Sequence, residues 1–283
     1  MTMLRRRLIG KTSNKYLTIS PIGIVGSTLF TVGFTSDCEY NKDGEWIALS
    51  AGTTISSYEA VKFRARLTPT LENGIGTFSI TGANVMVEGN AMSMLFGDEA
   101  DQHTDLTGYI GAFRYLFRNC KTIVNVAKNI LPATTLAQYC YSYMFYNCTN
   151  LASAPKLPAM ELAPQCYSYM FYNCKALSKA PELPAMTMMN QCYHNMFRGC
   201  TSLVVAPELP ALQLVSNCYY AMFTDCTNLN YIKAMFTTTP SSTTTSSWVT
   251  NVASEGTFVM NKDATWDVTG NNGIPDGWEI IKV

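Results

Sequence analysis

The chain has little of what catalysis and nucleic-acid binding draw on. It has 283 residues but only two histidines, His103 and His194. Lysine plus arginine balance aspartate plus glutamate at 20 each, and only 14% of residues are charged. With no basic excess there is no electrostatic footprint for a nucleic-acid partner. No glycine-rich phosphate loop and no G-x-S-x-G nucleophile turn occurs. No apolar run approaches the 18 or so residues of a membrane-spanning helix, so membrane insertion is not expected. The cluster Arg5, Arg6, Arg7 is followed by only Leu8, Ile9 and Gly10 before Lys11. That is too short for the apolar stretch of a secretory signal, and residues 1–11 read as a tail.

What is present is sulfur, aromatics and repetition. The chain has 10 cysteines, 15 methionines and 16 tyrosines. The phrase CYSYMFYNC fills Cys140 to Cys148 and recurs unchanged from Cys166 to Cys174. Aligning the phrase with itself gives four copies at a spacing of 26 residues, opening at Leu131, Leu157, Leu183 and Leu209. An earlier degenerate copy, AFRYLFRNC, ends at Cys120 and carries a two-residue insertion. A period in this range signals stacked coils, each too small to bury its own apolar face.

Comparing the copies separates fixed from variable positions. Cys140, Tyr141, Met144, Phe145 and Cys148 recur in type, with Leu136 four residues ahead. The spacing i−4, i, i+1, i+4, i+5, i+8 predicts a short helix with an inward stripe. Variable positions such as Ser142, Ser168 and Asn195 then face outward. Leu151 to Ala154 predicts a short parallel strand, limited by Pro155, Pro181 and Pro207, which lack a ladder N–H. The cysteines read as buried free thiols, since eight helical residues span about 12 Å and a disulfide needs Cα atoms within roughly 7 Å. No metal site is expected from two histidines.

The motif MF-x-x-C-x-x-L with a following Leu-Pro resembles the BspA-like leucine-rich repeats of gut Bacteroidetes and their phages. LPATTLAQYCYSYMFYNCTNL carries the likeness almost whole, and WVTNVASEGTF and ATWDVTGNNGIPDGW extend it to the flank. The resemblance implies a surface-exposed binding or adhesion protein located on a virion or an extracellular surface.

In the flanks, Val61, Phe63, Ala65 and Leu67 alternate with Lys62, Arg64 and Arg66, the pattern of a half-buried strand. Asp43-Gly44, between SDCEY and EWIAL, signals a hairpin. TTTPSSTTTSS, from Thr237 to Ser247, reads as a linker or a loop around the last coil. GNNGIPDGWE reads as a turn, because Val268 and Gly270 fall where calcium-ligating side chains would be needed. The expected architecture is therefore α+β: a β-sandwich-like domain over 12–98, a leucine-rich-repeat solenoid of strand-plus-helix coils over 99–236, and a C-terminal cap over 237–283.

No catalytic or cofactor-binding residue stands out, and the expected role is non-enzymatic. The outward helix face predicts a ligand-binding set of Tyr143, Tyr146, Tyr169, Tyr172, His194, Asn195, Arg198 and Tyr220. Aromatic faces can stack on a glycan or protein while amides hydrogen-bond; the same tyrosines could instead shield neighbouring coils. Ser153, Lys179, Val205 and Tyr231 form a second variable row. Two roles stand side by side: an adhesin, phage-borne or bacterial, contacting a host-surface glycan or protein, and a structural virion component docked to other virion proteins through the β-domain.

Overall fold

The structure, a computed structural model, describes residues 15–23, 27–33, 38–70 and 73–283. The tail with Arg5, Arg6 and Arg7, and Ser36 and Asp37 of SDCEY, lie outside the described residues.

The regular secondary structure of the described residues is almost all β, in three separate sheets. The first has six strands: β1 (Leu17–Pro21), β3 (Cys38–Lys42), β4 (Glu45–Leu49), β6 (Val61–Ala65), β8 (Val85–Glu88) and β9 (Ile123–Val126), in the order β4-β3-β6-β1-β8-β9. Its pairs are antiparallel except β8 with β9. The second sheet, β5-β2-β7, joins β2 (Thr28–Val32), β5 (Thr54–Ser57) and β7 (Phe78–Gly82). The third is a parallel set, β10 (Tyr231–Ala234), β11 (Thr257–Met260) and β12 (Glu279–Lys282).

Local chemistry accounts for the first two sheets. Asp43 and Gly44 both have positive φ, 53° and 95°, the left-handed pair of a two-residue hairpin turn between β3 and β4. In β6, Val61, Phe63 and Ala65 are buried while Lys62 is exposed. The two sheets meet face to face through Phe63, whose ring lies 6.1 Å from Phe30 of β2 and 4.9 Å from Phe78 of β7.

The expected α+β class with a leucine-rich-repeat solenoid is overturned. Among the described residues the helical content is one four-residue α-helix, Ser93–Phe96, and two 3-10 turns, Gly97–Gln102 and Gly270–Asn272. None of the 26-residue repeats contains a helix, and the predicted strand from Leu151 reduces to an isolated parallel bridge between Ser153 and Lys179. The descriptors leucine-rich repeat and solenoid fall with it, and the phage, virion and adhesion expectations lose the architecture on which they were drawn.

Each nonapeptide is instead a run of tight turns. Every fourth residue is left-handed: Tyr139, Tyr143 and Asn147 have φ of 61°, 58° and 59°. Alternate N–H groups do two different jobs. Those of Ser142, Met144, Tyr146 and Cys148 close local turns onto the carbonyls of Tyr139, Tyr141, Tyr143 and Phe145. Those of Tyr141, Tyr143, Phe145 and Asn147 cross to Cys166, Ser168, Met170 and Tyr172 of the next repeat, at 2.7–3.0 Å. Every one of these backbone groups is thereby paired without helix or strand.

Packing follows the same register. Cys140, Tyr141, Met144, Phe145 and Cys148 are all buried, as are their counterparts in the next three repeats. Buried rings form two columns. One runs Phe113, Tyr141, Tyr167, Tyr193, Tyr219; the other runs Phe78, Phe117, Phe145, Phe171, Phe197, Phe223, with centroids 5.5–6.0 Å apart. The thiols of Cys148, Cys174, Cys200 and Cys226 each donate to a phenylalanine carbonyl of the repeat before, at 3.0–3.1 Å. All ten cysteines are unpaired and buried.

The ends are closed differently. At the start, Ile75 and Phe78 donate N–H groups to the carbonyls of Ala112 and Leu116 in the degenerate copy. At the finish, the Thr/Ser segment is not a linker but opens a further turn run, in which Thr244, Ser246, Trp248 and Thr250 accept from Tyr219, Ala221, Phe223 and Asp225. Its own donors end on residues near the chain's last turn: Val249 N–H on the Asn271 carbonyl and Ser247 N–H on Asn272 Oδ1. Three indoles lock this end, Trp248 onto Gly273, Trp266 onto Phe236 and Trp278 onto Ala253.

Candidate functional site

The turn runs place side chains on one face, where neighbouring repeats bring rings against one another: Tyr143 and Tyr169 from left-handed positions, Tyr146, Tyr172, His194 and Tyr220 from positions between them. Tyr143 stacks on Tyr169 with centroids 4.5 Å apart and planes 9° from parallel. Tyr146 stacks on Tyr172 at 4.7 Å and 10°. The first column continues by an edge contact from Tyr169 to His194 at 5.1 Å, and by stacking of His194 on Tyr220 at 4.6 Å. The columns touch through Tyr143–Tyr146 and Tyr169–Tyr172, at 5.6 and 5.8 Å. Arg198 lies 5.9 Å over Tyr172 and reaches Asp225 at 3.5 Å.

Seven of the eight expected residues, all but Asn195, are therefore half-buried together on one face. Asn195 is a correction: its side chain is buried, with Nδ2 against the His194 ring and Oδ1 without a partner. Ser142 and Ser168, also expected outward, are buried and donate to the Ser168 and His194 carbonyls of the following repeats. The two places exchange roles along the stack: His194 and Tyr220, at the place of Ser142 and Ser168, join the ridge, while Asn195 and Ala221, at the place of Tyr143 and Tyr169, are buried.

Four neighbours complete the face and escaped the sequence reading. Tyr115 precedes Tyr143 in the column at 5.1 Å, and Tyr139 accepts a hydrogen bond from Gln165 at 2.9 Å. Arg114 lies 4.7 and 4.9 Å over Tyr115 and Tyr139, and Arg118 lies 5.2 and 5.3 Å over Tyr115 and Tyr146. Arg118 is exposed and has no carboxylate partner among the described residues. A usable signal existed: in AFRYLFRNC, Arg114, Tyr115 and Arg118 occupy the places of Ser142, Tyr143 and Tyr146.

The geometry changes what these rings can do. In the stacked pairs Tyr143–Tyr169, Tyr146–Tyr172 and His194–Tyr220 each ring covers a flat side of its partner, which leaves edges and hydroxyls as a larger share of what these rings offer a ligand. Burial, then the neighbouring Tyr169, pushes the Tyr143 phenol upward, so it stays a neutral donor and acceptor. Burial lowers His194 to about 4, leaving a neutral imidazole. The face is a hydrogen-bonding ridge, cationic at Arg114 and Arg118.

Other candidates resolve otherwise. His103 stacks on Phe96 at 3.8 Å, and Asn272 of GNNGIPDGWE is engaged by Ser247 and by the Thr245 hydroxyl. Burial raises the thiols of Cys140 and Cys226 to about 12, away from nucleophile range. Among the described residues no cluster of histidine, cysteine or acidic side chains is arranged to hold a metal, and no helix is long and apolar enough to cross a membrane. No family model, curated protein or solved structure matches the chain.

Proposed function

We propose that the chain is a non-catalytic binding protein whose tyrosine ridge contacts carbohydrate. The supporting observation is the alignment of Tyr143, Tyr146, Tyr169, Tyr172, His194 and Tyr220 in columns beside a preorganised, unpaired Arg118. Such a row offers phenol hydroxyls at regular intervals, each able to donate and accept. A guanidinium held over two rings is fixed in orientation, which reduces the ordering cost of pairing it with a ligand oxygen. Sugar polyols are recognised by this density of neutral hydrogen bonds. The mode is edge-on, not the face stacking that the residue types alone suggest.

A glycan-array screen of the intact chain tests the proposal, with Tyr146→Phe/Tyr172→Phe as the comparison. This variant keeps both stacked rings and removes only the hydroxyls. Binding should fall by about tenfold, the loss expected from one or two hydrogen bonds. An array with no bound glycan, or equal binding by the variant, refutes the reading.

A further inference from the structure

On the side of the repeats opposite in register to the turn runs, the proline segments should pair like rungs. Most do. Ala152 and Lys156 donate to Val124 and Lys128 at 2.9 and 2.8 Å, and Ala206 and Leu209 donate to Tyr231 and Lys233, both at 2.9 Å. The central segment, 178–184, is the exception. Apart from the isolated bridge between Ser153 and Lys179, its backbone makes no hydrogen bond to the segment on either side among the described residues.

A furrow lies on each flank of this unpaired segment. The larger, about 760 Å³, runs between 178–184 and 204–210; the smaller, about 420 Å³, runs between 152–158 and 178–184. The larger is walled by Pro181, Pro184, Pro207 and Pro210 and by Val204 and Val205, which are 42% and 49% exposed. Glu208 at its rim is neutralised by Lys233 at 2.8 Å. Ala180 and Leu183 each precede a proline, which holds the wall in an extended conformation.

We propose that the larger furrow receives an extended segment of another protein, apolar at alternate positions. Beyond the Lys179 bridge, the groups of 178–184 not paired to a neighbouring segment are peptide carbonyls and the N–H groups of its non-proline residues, and a second extended main chain is their natural complement. Alternate side chains of such a guest point inward, onto prolines and valines, and outward, to water. A glycan fits poorly, because the walls offer few hydroxyl or amide side chains. This site shares no residue with the tyrosine ridge and does not depend on it.

Panning a displayed random-peptide library on the intact chain tests this, followed by binding of the enriched peptides to Val205→Asp and to Tyr146→Phe/Tyr172→Phe. Val205 is exposed enough that the aspartate leaves the thermal melt unchanged, which is checked first. The expected result is enrichment of peptides with alternating apolar residues, bound about tenfold more weakly by Val205→Asp and equally by the tyrosine variant. Three results overturn it: no enrichment, equal binding by Val205→Asp, or self-association of the chain that Val205→Asp abolishes, which would make a second copy the occupant. A glycan array with no bound glycan would overturn the ridge reading and leave this one standing.

Discussion

Asn147 separates the turn run from the helix that its spacing suggests. Its φ is 59°, and its carboxamide is one rung of a ladder: Nδ2 donates to Asn119 Oδ1 at 3.1 Å, and Oδ1 accepts from Asn173 Nδ2 at 2.7 Å. Asn147→Ala removes both bonds, each worth roughly 0.5–1 kcal/mol at this exposure. It also leaves a Cβ in the left-handed region without the carboxamide that makes asparagine tolerable there, at about 1 kcal/mol. The sum is roughly 2–3 kcal/mol. Asn147→Gly loses the same bonds but escapes the conformational term, so the glycine variant should be the more stable by about 1 kcal/mol. Inside an α-helix the order reverses, with alanine better than glycine by about 1 kcal/mol. Gly199 already fills the equivalent place two repeats later, at φ 76°. Urea unfolding followed by far-ultraviolet circular dichroism gives the order from the two midpoints. Alanine equal to or above glycine would refute the turn geometry on which the whole stack rests.

Met170→Ala, at a fully buried position, should cost about 3 kcal/mol, whereas Met160→Ala, 57% exposed, should change stability by less than about 0.5 kcal/mol; thermal melts compare the two. His194 titrates lower in the folded chain, about 4, than the ordinary 6.5, so the unfolded chain takes up the proton first. Stability is whole above pH 6.5 and falls as pH drops toward 4, by roughly 1 kcal/mol once solvent screening of a half-covered ring is allowed for; His194→Tyr should flatten that slope in denaturation curves measured from pH 7 to 4. Cys148, Cys174 and Cys200, fully buried and with thiols raised by burial, should resist a disulfide reagent at pH 8 until urea is added; rapid native labelling would contradict the packing.

The inward set was legible because it depends only on which residue types recur: Cys140, Tyr141, Met144, Phe145 and Cys148 are buried whichever backbone carries them. The backbone itself was not. Over nine residues, a spacing of four fits a 3.6-residue helix and a four-residue turn period about equally well. The deciding signal was the residue before the second cysteine, which is Asn119, Asn147, Asn173, Gly199 or Asp225 in successive copies. Those types share tolerance of positive φ, which a turn run asks for at every fourth residue and a helix only at its C-terminal cap. Tyr139, Tyr143 and Tyr169 hid the pattern, being left-handed without being typical of it. The same error put Asn195 and Ser142 on the outside. Tyr143 meets Tyr169 and Tyr146 meets Tyr172 because stacking repeats aligns equivalent positions under either backbone, whereas His194 and Tyr220 enter the column from the place of Ser142 and Ser168. The unpaired segment 178–184 had no sequence mark, since its prolines match those of its paired neighbours.

The alternation of N–H groups gives the stack a direction. Within the turn runs, each passes N–H donors forward and receives them on its carbonyls, so on that side of the stack the first run is a row of acceptors and the last a row of donors, while elsewhere Ala152 and Lys156 donate backward. Along the turn-run side the two flanks are chemical opposites and cannot be exchanged. A fragment shorn of both would carry mating termini on a single body, a head-to-tail geometry that never closes, and the expected product is an open filament rather than a monomer.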